Sequence, residues 1–363
     1  MSHIPATLLP VIQEANMRAR GSSLTRIRRR DLSRPVAAWV SKSRIGNTVG
    51  SALSIVLATS GCSHARGESG GCTMCSYLLD GSHEAVPSDK ILQQFGRAIE
   101  SASSEKGPLS IKVYTSGSFL DEDEVPIDAR NNILGLINED ERVKEVVLES
   151  RPQYVTEDSM GAIHDLLDGP HVEIGIGLES SSDPVRTLCI NKGFEIEDFA
   201  DAVRTAKGHK IGIRAYVLLK PPFLTERDAL LDSVHTIEDA AKMGATTISI
   251  NPVNVQKHTL VERLWTRGLY RPPWLWTLVE VLSQARVQVD SSITIVSDPV
   301  AAGKKRGVHN CGRCDESITM AIRNFSLDQK TGVFDSLDCA CRHLWSHTLE
   351  HEDFALLVHS VKR

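Results

Sequence analysis

"ALSIVLATSGCSHARGESGGCTMCSY", residues Ala52 to Tyr77, runs from an apolar segment straight into a loop with three cysteines and four glycines. The run Ala52 to Ser60 is short, apolar and closed by Gly61, which reads as a buried strand. The loop then sets Cys62, Cys72 and Cys75 in a C-x9-C-x2-C spacing. A structural zinc site takes four protein ligands, whereas three thiolates leave one position for something that is not protein. The alternative is a zinc knuckle that borrows His64 as its fourth ligand.

Six further apolar runs follow at fairly regular intervals, at 109–115, 144–150, 172–178, 211–219, 246–251 and 291–297. Amphipathic stretches such as 88–102 and 225–243 lie between them, the second opening with Thr225 and Asp228 at capping-box spacing. Apolar strands joined by helices mean parallel βα units with helices covering the sheet. The expected fold class is therefore α/β, a full or partial barrel. Chemistry in such barrels sits in the loops after the strands, and the three-cysteine loop follows the first of these strands.

The chain of 363 residues, 41% hydrophobic and 24% charged, has room for one large α/β domain with additions. No run of about 18 apolar residues marks a membrane span, and the N-terminus lacks the pattern of a secretory signal. A cytoplasmic protein is the simplest expectation. In a reducing compartment its eight cysteines serve as metal ligands or catalysts rather than disulfides. Cys189 stands alone and reads as a small buried hydrophobe. Cys311, Cys314, Cys339 and Cys341 form a second cluster that supplies four ligands and reads as structural zinc. An auxiliary iron–sulfur cluster competes, because four thiolates suit either. His309 and His343 flank the cluster and could replace a thiolate.

Between residues 18 and 44, nine Arg and Lys side chains face one acid, Asp31, in a chain whose net charge is −5. A local basic patch of this kind is what phosphate-backbone binding needs; a solvated arm or a transit peptide are the plain alternatives. The organisation expected is a basic extension at 1–50, a barrel at 51–300 and a small four-cysteine region at 301–363.

The three-cysteine loop resembles that of radical S-adenosylmethionine (SAM) enzymes. Their commonest spacing is C-x3-C-x2-C, and the longer loop here is similar to that of the Elongator catalytic subunit. Ser116-Gly117-Ser118-Phe119 resembles the family's glycine-rich stretch, with Ser-Gly for the usual double glycine. Glu149-Ser150-Arg151-Pro152 resembles the Elongator Glu-Thr-Arg-Pro, and Gly177-Leu178-Glu179-Ser180 with Asn191-Lys192-Gly193 resembles elements that contact the SAM ribose and carboxylate. "LLKPPFLTE" (218–226), "NPVNVQKHTLVERLW" (251–265), "YRPPWLWTLVEVL" (270–282) and "VHNCGRCD" (308–315) narrow the resemblance to the archaeosine-forming radical SAM enzymes of archaea, from about residue 20 to the C-terminus.

The resemblance implies a partial (β/α)6-type barrel. It also implies a [4Fe–4S] cluster on Cys62, Cys72 and Cys75, with SAM chelated on the open iron. SAM contacts are expected from Met74, Tyr77, Ser116, Gly117, Glu149, Arg151, Glu179, Lys192 and Arg214. It implies further that a partner synthase first attaches lysine to 7-cyano-7-deazaguanine in the tRNA D-arm, and that an unidentified donor supplies the electron. This enzyme would then cleave the lysine carbon–nitrogen bond to leave archaeosine. Radical modification of another RNA position or of a protein is the rival within enzymes. A non-catalytic iron–sulfur or zinc RNA-binding module is the rival outside them.

Overall fold

The computed structural model describes residues 8–21, 23, 30–82 and 84–352. All seven strands expected from the sequence are present: β2 (Thr48–Val56), β3 (Leu109–Tyr114), β4 (Val143–Ser150), β5 (His171–Glu179), β6 (Gly212–Leu219), β7 (Thr247–Pro252) and β8 (Thr294–Val296). They pair in parallel, each with the next, in one sheet that follows chain order. The helices α3 (Ser88–Ile99), α4 (Ile127–Asn138), α5 (Glu157–Leu166), α6 (Ile196–Gly208), α7 (Glu226–Met243) and α9 (Leu275–Gln288) cross over between strands. Their apolar stripes bury the outer face of the sheet, where Leu53, Ile55, Ile111, Val113, Ile174 and Ile213 are almost fully enclosed. Thr225 caps α7 as its spacing predicts, its hydroxyl accepting the Asp228 amide at 3.1 Å.

An eighth strand, β1 (Ala37–Ile45), lies in the stretch read as a basic extension. It pairs antiparallel with β2 along its whole length through a tight turn at Gly46 and Asn47, so the boundary at residue 50 falls inside a hairpin. Basic residues alternate with serines in SKSRI, Lys42 and Arg44 with Ser41 and Ser43, as suits an edge strand that keeps charge. β1 and β8 do not pair, so the barrel is open. Helix α10 (Asp315–Asp328) packs against both edges and plugs part of the gap.

The inner face of the sheet is polar. Ser110, Lys112 and Tyr114 on β3 share it with Glu145 and Glu149 on β4, Glu173 on β5, and Arg214 and Tyr216 on β6. Small residues at Ser54, Gly175, Gly177 and Ser249 leave room between them. Closed barrels of this class fill the same face with branched apolar layers, whereas here Lys112, Tyr114, Glu149 and Tyr216 stay partly exposed on it, so it borders a cavity.

Candidate functional site

The three-cysteine loop lies over the C-terminal edge of the strands, and a set of buried contacts from distant parts of the chain fixes it. Asn191 donates its side-chain amide to the Ser69 and Gly71 carbonyls at 2.9 and 2.8 Å. The Thr73 amide and hydroxyl donate to the carbonyls of Ile190 and Cys189 at 2.9 and 2.6 Å. From helix α1 (Leu8–Arg20), Asn16 donates to Gly70 and Gly71, and Arg20 donates to the Cys72 and Cys75 carbonyls at 3.3 and 3.1 Å. Gln256 accepts the Ser76 amide at 2.6 Å. Arg20, a member of the basic patch, is thus 2% exposed and serves the loop rather than the surface. Nothing in its local sequence separates it from its neighbours, whereas Gln256 stands in one of the stretches that narrow the resemblance.

Two glycines are required by close approach. Gly71 has φ +70°, and a side chain there would meet the Ala65 backbone. Gly117 faces Cys62, and a Cβ on it would come within 2.5 Å of both the Cys62 Cα and the Glu124 carboxylate. Ser116-Gly117-Ser118 is held in turn by its own contacts: the Ser116 hydroxyl donates to the Tyr77 carbonyl at 3.0 Å, and the Ser118 amide to Glu124 at 2.7 Å.

The three thiols are partly buried and close enough to oppose each other's ionisation. Burial pushes the Cys62 thiol up, and burial with the Cys72 charge pushes Cys75 up to about 12. Arg151, Arg20 and Lys192 provide nearby positive charge. The set does not suit one ion. Two thiolates on a single zinc, at about 2.3 Å each, can be no more than about 4.6 Å apart, and the loop thiols are not all within 4.8 Å of one another. A multi-iron cluster, with each thiolate on its own iron, fits this wider spread. His64 cannot complete a zinc knuckle, because its Nε2 faces the Asn191 carbonyl at 2.7 Å and its Nδ1 the Ser69 hydroxyl at 3.3 Å.

Around the loop, four of the residues expected to contact SAM come together. Glu179, at φ +67° after a bulge in β5, pairs with Lys192 at 2.7 Å. Arg151 donates to the Lys192 and Gly193 carbonyls at 3.1 and 3.4 Å and lies over the Phe194 ring. Burial, reinforced by Glu124 and Glu179 and opposed by Lys192, pushes the Glu149 carboxyl up to about 8. Tyr77 projects half-exposed at the cavity mouth, and Met74 packs against the core. Arg214, also expected to contact SAM, is the third residue of β6, in register with Gly175 and through it with Glu149, and its guanidinium pairs with Glu145 and Glu173 at 3.5 and 2.8 Å. Against the effect of burial, Arg214 holds Glu173 well below the usual carboxylate range.

The second cluster is of another kind. Cys311, Cys314, Cys339 and Cys341 all lie within 4.8 Å of one another, with sulfur pairs at 3.6, 3.7 and 4.0 Å. A tetrahedral ion with 2.3 Å bonds sets sulfurs about 3.8 Å apart. Asn310 and Trp276 donate to Cys314 and Cys341 at 3.4 and 3.3 Å. His309 turns its Nδ1 to the Gly307 carbonyl at 2.8 Å and His343 is exposed, so neither displaces a thiolate. The site joins α9 to α10 and to α11 (Cys341–His351). Beneath it, buried Lys220 pairs with Glu226 at 2.6 Å, and Glu226 also accepts from the Trp274 amide at 2.8 Å. The Lys-Pro-Pro and Arg-Pro-Pro-Trp stretches therefore brace the C-terminal region.

The Asn191 clamp yields a test. In Asn191→Ala two loop carbonyls lose their donor, at about 1–3 kcal/mol each, and alanine at φ +57° adds about 1–2 kcal/mol of strain. Iron retained through gel filtration should fall several-fold while far-UV circular dichroism stays unchanged. Asn191→Gly removes the strain but not the loss of donors, so it should lose iron to a similar degree; full retention would leave the clamp without a role.

An open parallel α/β sheet thus carries a loop of three cysteines over the end of its first parallel strand. No family model matches the chain. It is 44% identical over 321 residues to archaeosine synthase subunit beta of Methanosarcina acetivorans, covering 88% of this chain and 91% of that one. The Thermococcus kodakarensis protein of the same name is 38% identical over 317 residues, covering 86% and 96%. An uncharacterized Methanocaldococcus jannaschii protein is 37% identical over 331 residues, covering 89% of each. The chain belongs to the archaeosine synthase subunit beta family. Among solved structures, Methanocaldococcus infernus Elp3 with an N-terminal deletion overlaps at 16% identity and a TM-score of 0.45, covering 61% of this chain and 55% of that one, an overlap too loose to carry an argument. No described helix is long and apolar enough to cross a membrane.

Proposed function

We propose that this chain is a radical SAM enzyme of tRNA modification that cleaves the carbon–nitrogen bond of a lysine attached to 7-cyano-7-deazaguanine in the tRNA D-arm, leaving archaeosine. The observation that carries the reading is the clamped loop of three thiols, too widely spread for one zinc, beside Glu149, Glu179 and Lys192 at the cavity mouth. A [4Fe–4S] cluster on Cys62, Cys72 and Cys75 with SAM on its open iron supplies, when bound, the reductive cleavage of SAM that starts hydrogen abstraction. The chain's own residues position and enclose. Backbone at Ser116 and Gly117 faces the loop, the Glu179–Lys192 pair offers a carboxylate and an ammonium for a ribose and a carboxylate, and the polar barrel takes the substrate chain. The name borne by the relatives, subunit beta, supports a partner subunit that supplies the lysine adduct. The four-cysteine group holds one zinc in this reading.

The test is anaerobic reconstitution followed by assay of 5′-deoxyadenosine and of archaeosine in tRNA carrying the lysine adduct. No 5′-deoxyadenosine would sink the radical reading and favour a binding module. SAM cleavage with the adduct intact would point to another RNA position or a protein.

Phosphate contacts from the basic N-terminal region are part of the proposal. Arg26, Arg28 and Arg29 lie outside the described residues, Arg30 bonds the Asp80 carbonyl, and Lys42 is exposed. Reversing charge at Arg28 and Arg29 is expected to weaken tRNA binding and to flatten its log–log salt dependence by about one unit per lost contact. An unchanged slope would mean a solvated arm.

A further inference from the structure

The inner face of the barrel carries two cations, Lys112 and Arg214, and among the described residues only one is in an ion pair. Arg214 is held by Glu173 and Glu145. Those carboxylates are otherwise committed: Glu145 accepts the Ser110 hydroxyl at 2.6 Å, and Glu173 accepts Thr246 and Thr247 at 2.8 and 2.6 Å. Lys112, level with them on β3, has no carboxylate within ion-pair distance among the described residues and makes one hydrogen bond, to the Ser43 hydroxyl of β1 at 3.2 Å. Its ammonium has three donors, so two point into the cavity without a partner.

Directly above Lys112 on the same face, two residues or about 6.6 Å along the strand, stands Tyr114. The Tyr114 hydroxyl approaches that of Tyr216 from β6. Apart from this approach by Tyr114, the buried Tyr216 oxygen has no hydrogen-bond partner among the described residues. Gly175 on the intervening strand has no side chain, and a Cβ there would fall 2.7 Å from that oxygen. Glu149 borders the two tyrosines from β4. A buried donor left unmade costs about 1–3 kcal/mol, so natural cavities present such groups where a ligand completes them.

We propose that Lys112, with the hydroxyls of Tyr114 and Tyr216, binds the α-carboxylate of an amino acid substrate chain inside the barrel. This rests on the reading that the barrel receives a lysine adduct, and it names the groups that distinguish lysine from a plain alkylamine. A cation and two hydroxyl donors on one stretch of the inner face suit a single anion, the carboxylate of the chain. The chain then points its side-chain nitrogen toward the cysteine loop. Burial, reinforced by Arg214, brings the Lys112 ammonium down to about 8, as expected for a cation whose counter-charge arrives with the ligand.

The probe is Nε-(1-iminoethyl)-L-lysine, a lysine whose side-chain nitrogen carries an amidine, titrated calorimetrically into the full-length reconstituted protein. N-(5-aminopentyl)acetamidine, which lacks the carboxylate, serves as comparator. Wild type should bind the lysine probe at least about tenfold more tightly than the comparator. Lys112→Met should weaken the probe by about 10- to 100-fold and leave the comparator unchanged, because a hydrogen-bonded charge contact is lost only from the former. Tyr216→Phe, which keeps the packing, should weaken the probe by about 5- to 10-fold. No binding to wild type, equal binding of the two compounds, or variants that bind the probe like wild type would each overturn the proposal. Binding does not need SAM cleavage, so the two readings fail separately: a protein that cleaves SAM but ignores the probe loses only this pocket, and one that binds the probe but cleaves no SAM keeps it.

Discussion

Alanine in place of any one of Cys62, Cys72 or Cys75 is expected to reduce 5′-deoxyadenosine formation to background, a fall of at least about a thousandfold, or about 4 kcal/mol of barrel-held transition-state stabilisation. The size of the effect follows from the ligand count. Three thiolates are the minimum that keeps a cluster bound while one iron stays open, so two cannot do the work of three. Iron should drop from about four per chain in all three variants, with the visible absorption of the cluster lost in parallel. The fold should survive, because the loop is anchored through Asn191, Thr73, Asn16 and Arg20, none of which touches a thiol with its side chain. A variant that keeps turnover would remove its cysteine from the site. Variants that also lose their far-UV signal would show that the thiols belong to the scaffold.

The largest stability effect is expected at the other cluster. Cys314→Ala should release the zinc and lower the stability of the chain by more than about 4 kcal/mol, the range reached when a structural metal is lost. Cys314 is buried, and an ion on the four cysteines would tie α10 and α11 to α9. Trp276 donates to Cys341, and Trp345 donates to the Thr277 hydroxyl at 2.8 Å, so tryptophan fluorescence should shift to the red as the site opens. The buried Lys220–Glu226 pair would lose Glu352, which reaches Lys220 at 3.4 Å from the end of α11. That exposes a second weakness, since a buried pair stripped of its partners is strongly destabilising. Metal analysis of the wild type should give one zinc beside about four irons per chain. About eight irons and no zinc would make the second cluster an electron relay.

The parallel sheet was legible because a strand buried on both sides by helices reads as a continuous apolar run, and six of the runs here meet that description closely. The edge strand β1 was not legible, since SKSRI has two charges and a single apolar residue and its pairing depends on β2. One signal was present and easily passed over. Lys112, Glu145, Glu149, Glu173 and Arg214 interrupt apolar strands at positions that alternate with Ile, Val and Leu. In a closed barrel both faces are apolar, so charge at every second residue already implies that one face borders a cavity.

The sequence by itself determined the order of the parallel strands and the separation of three cysteines from four, because spacing and periodicity are local properties. Only the tertiary structure decided which partners each cation meets. Arg20 and Arg214 look like binding residues along the chain. One is buried under the cysteine loop, and the other is paired with two carboxylates of neighbouring strands. Lys112 attracted no notice in the sequence, and it is left facing the cavity. A charge is neutralised by whatever lies within a few ångströms, and for Arg214 those neighbours are Glu145 and Glu173, 69 and 41 residues away in the chain.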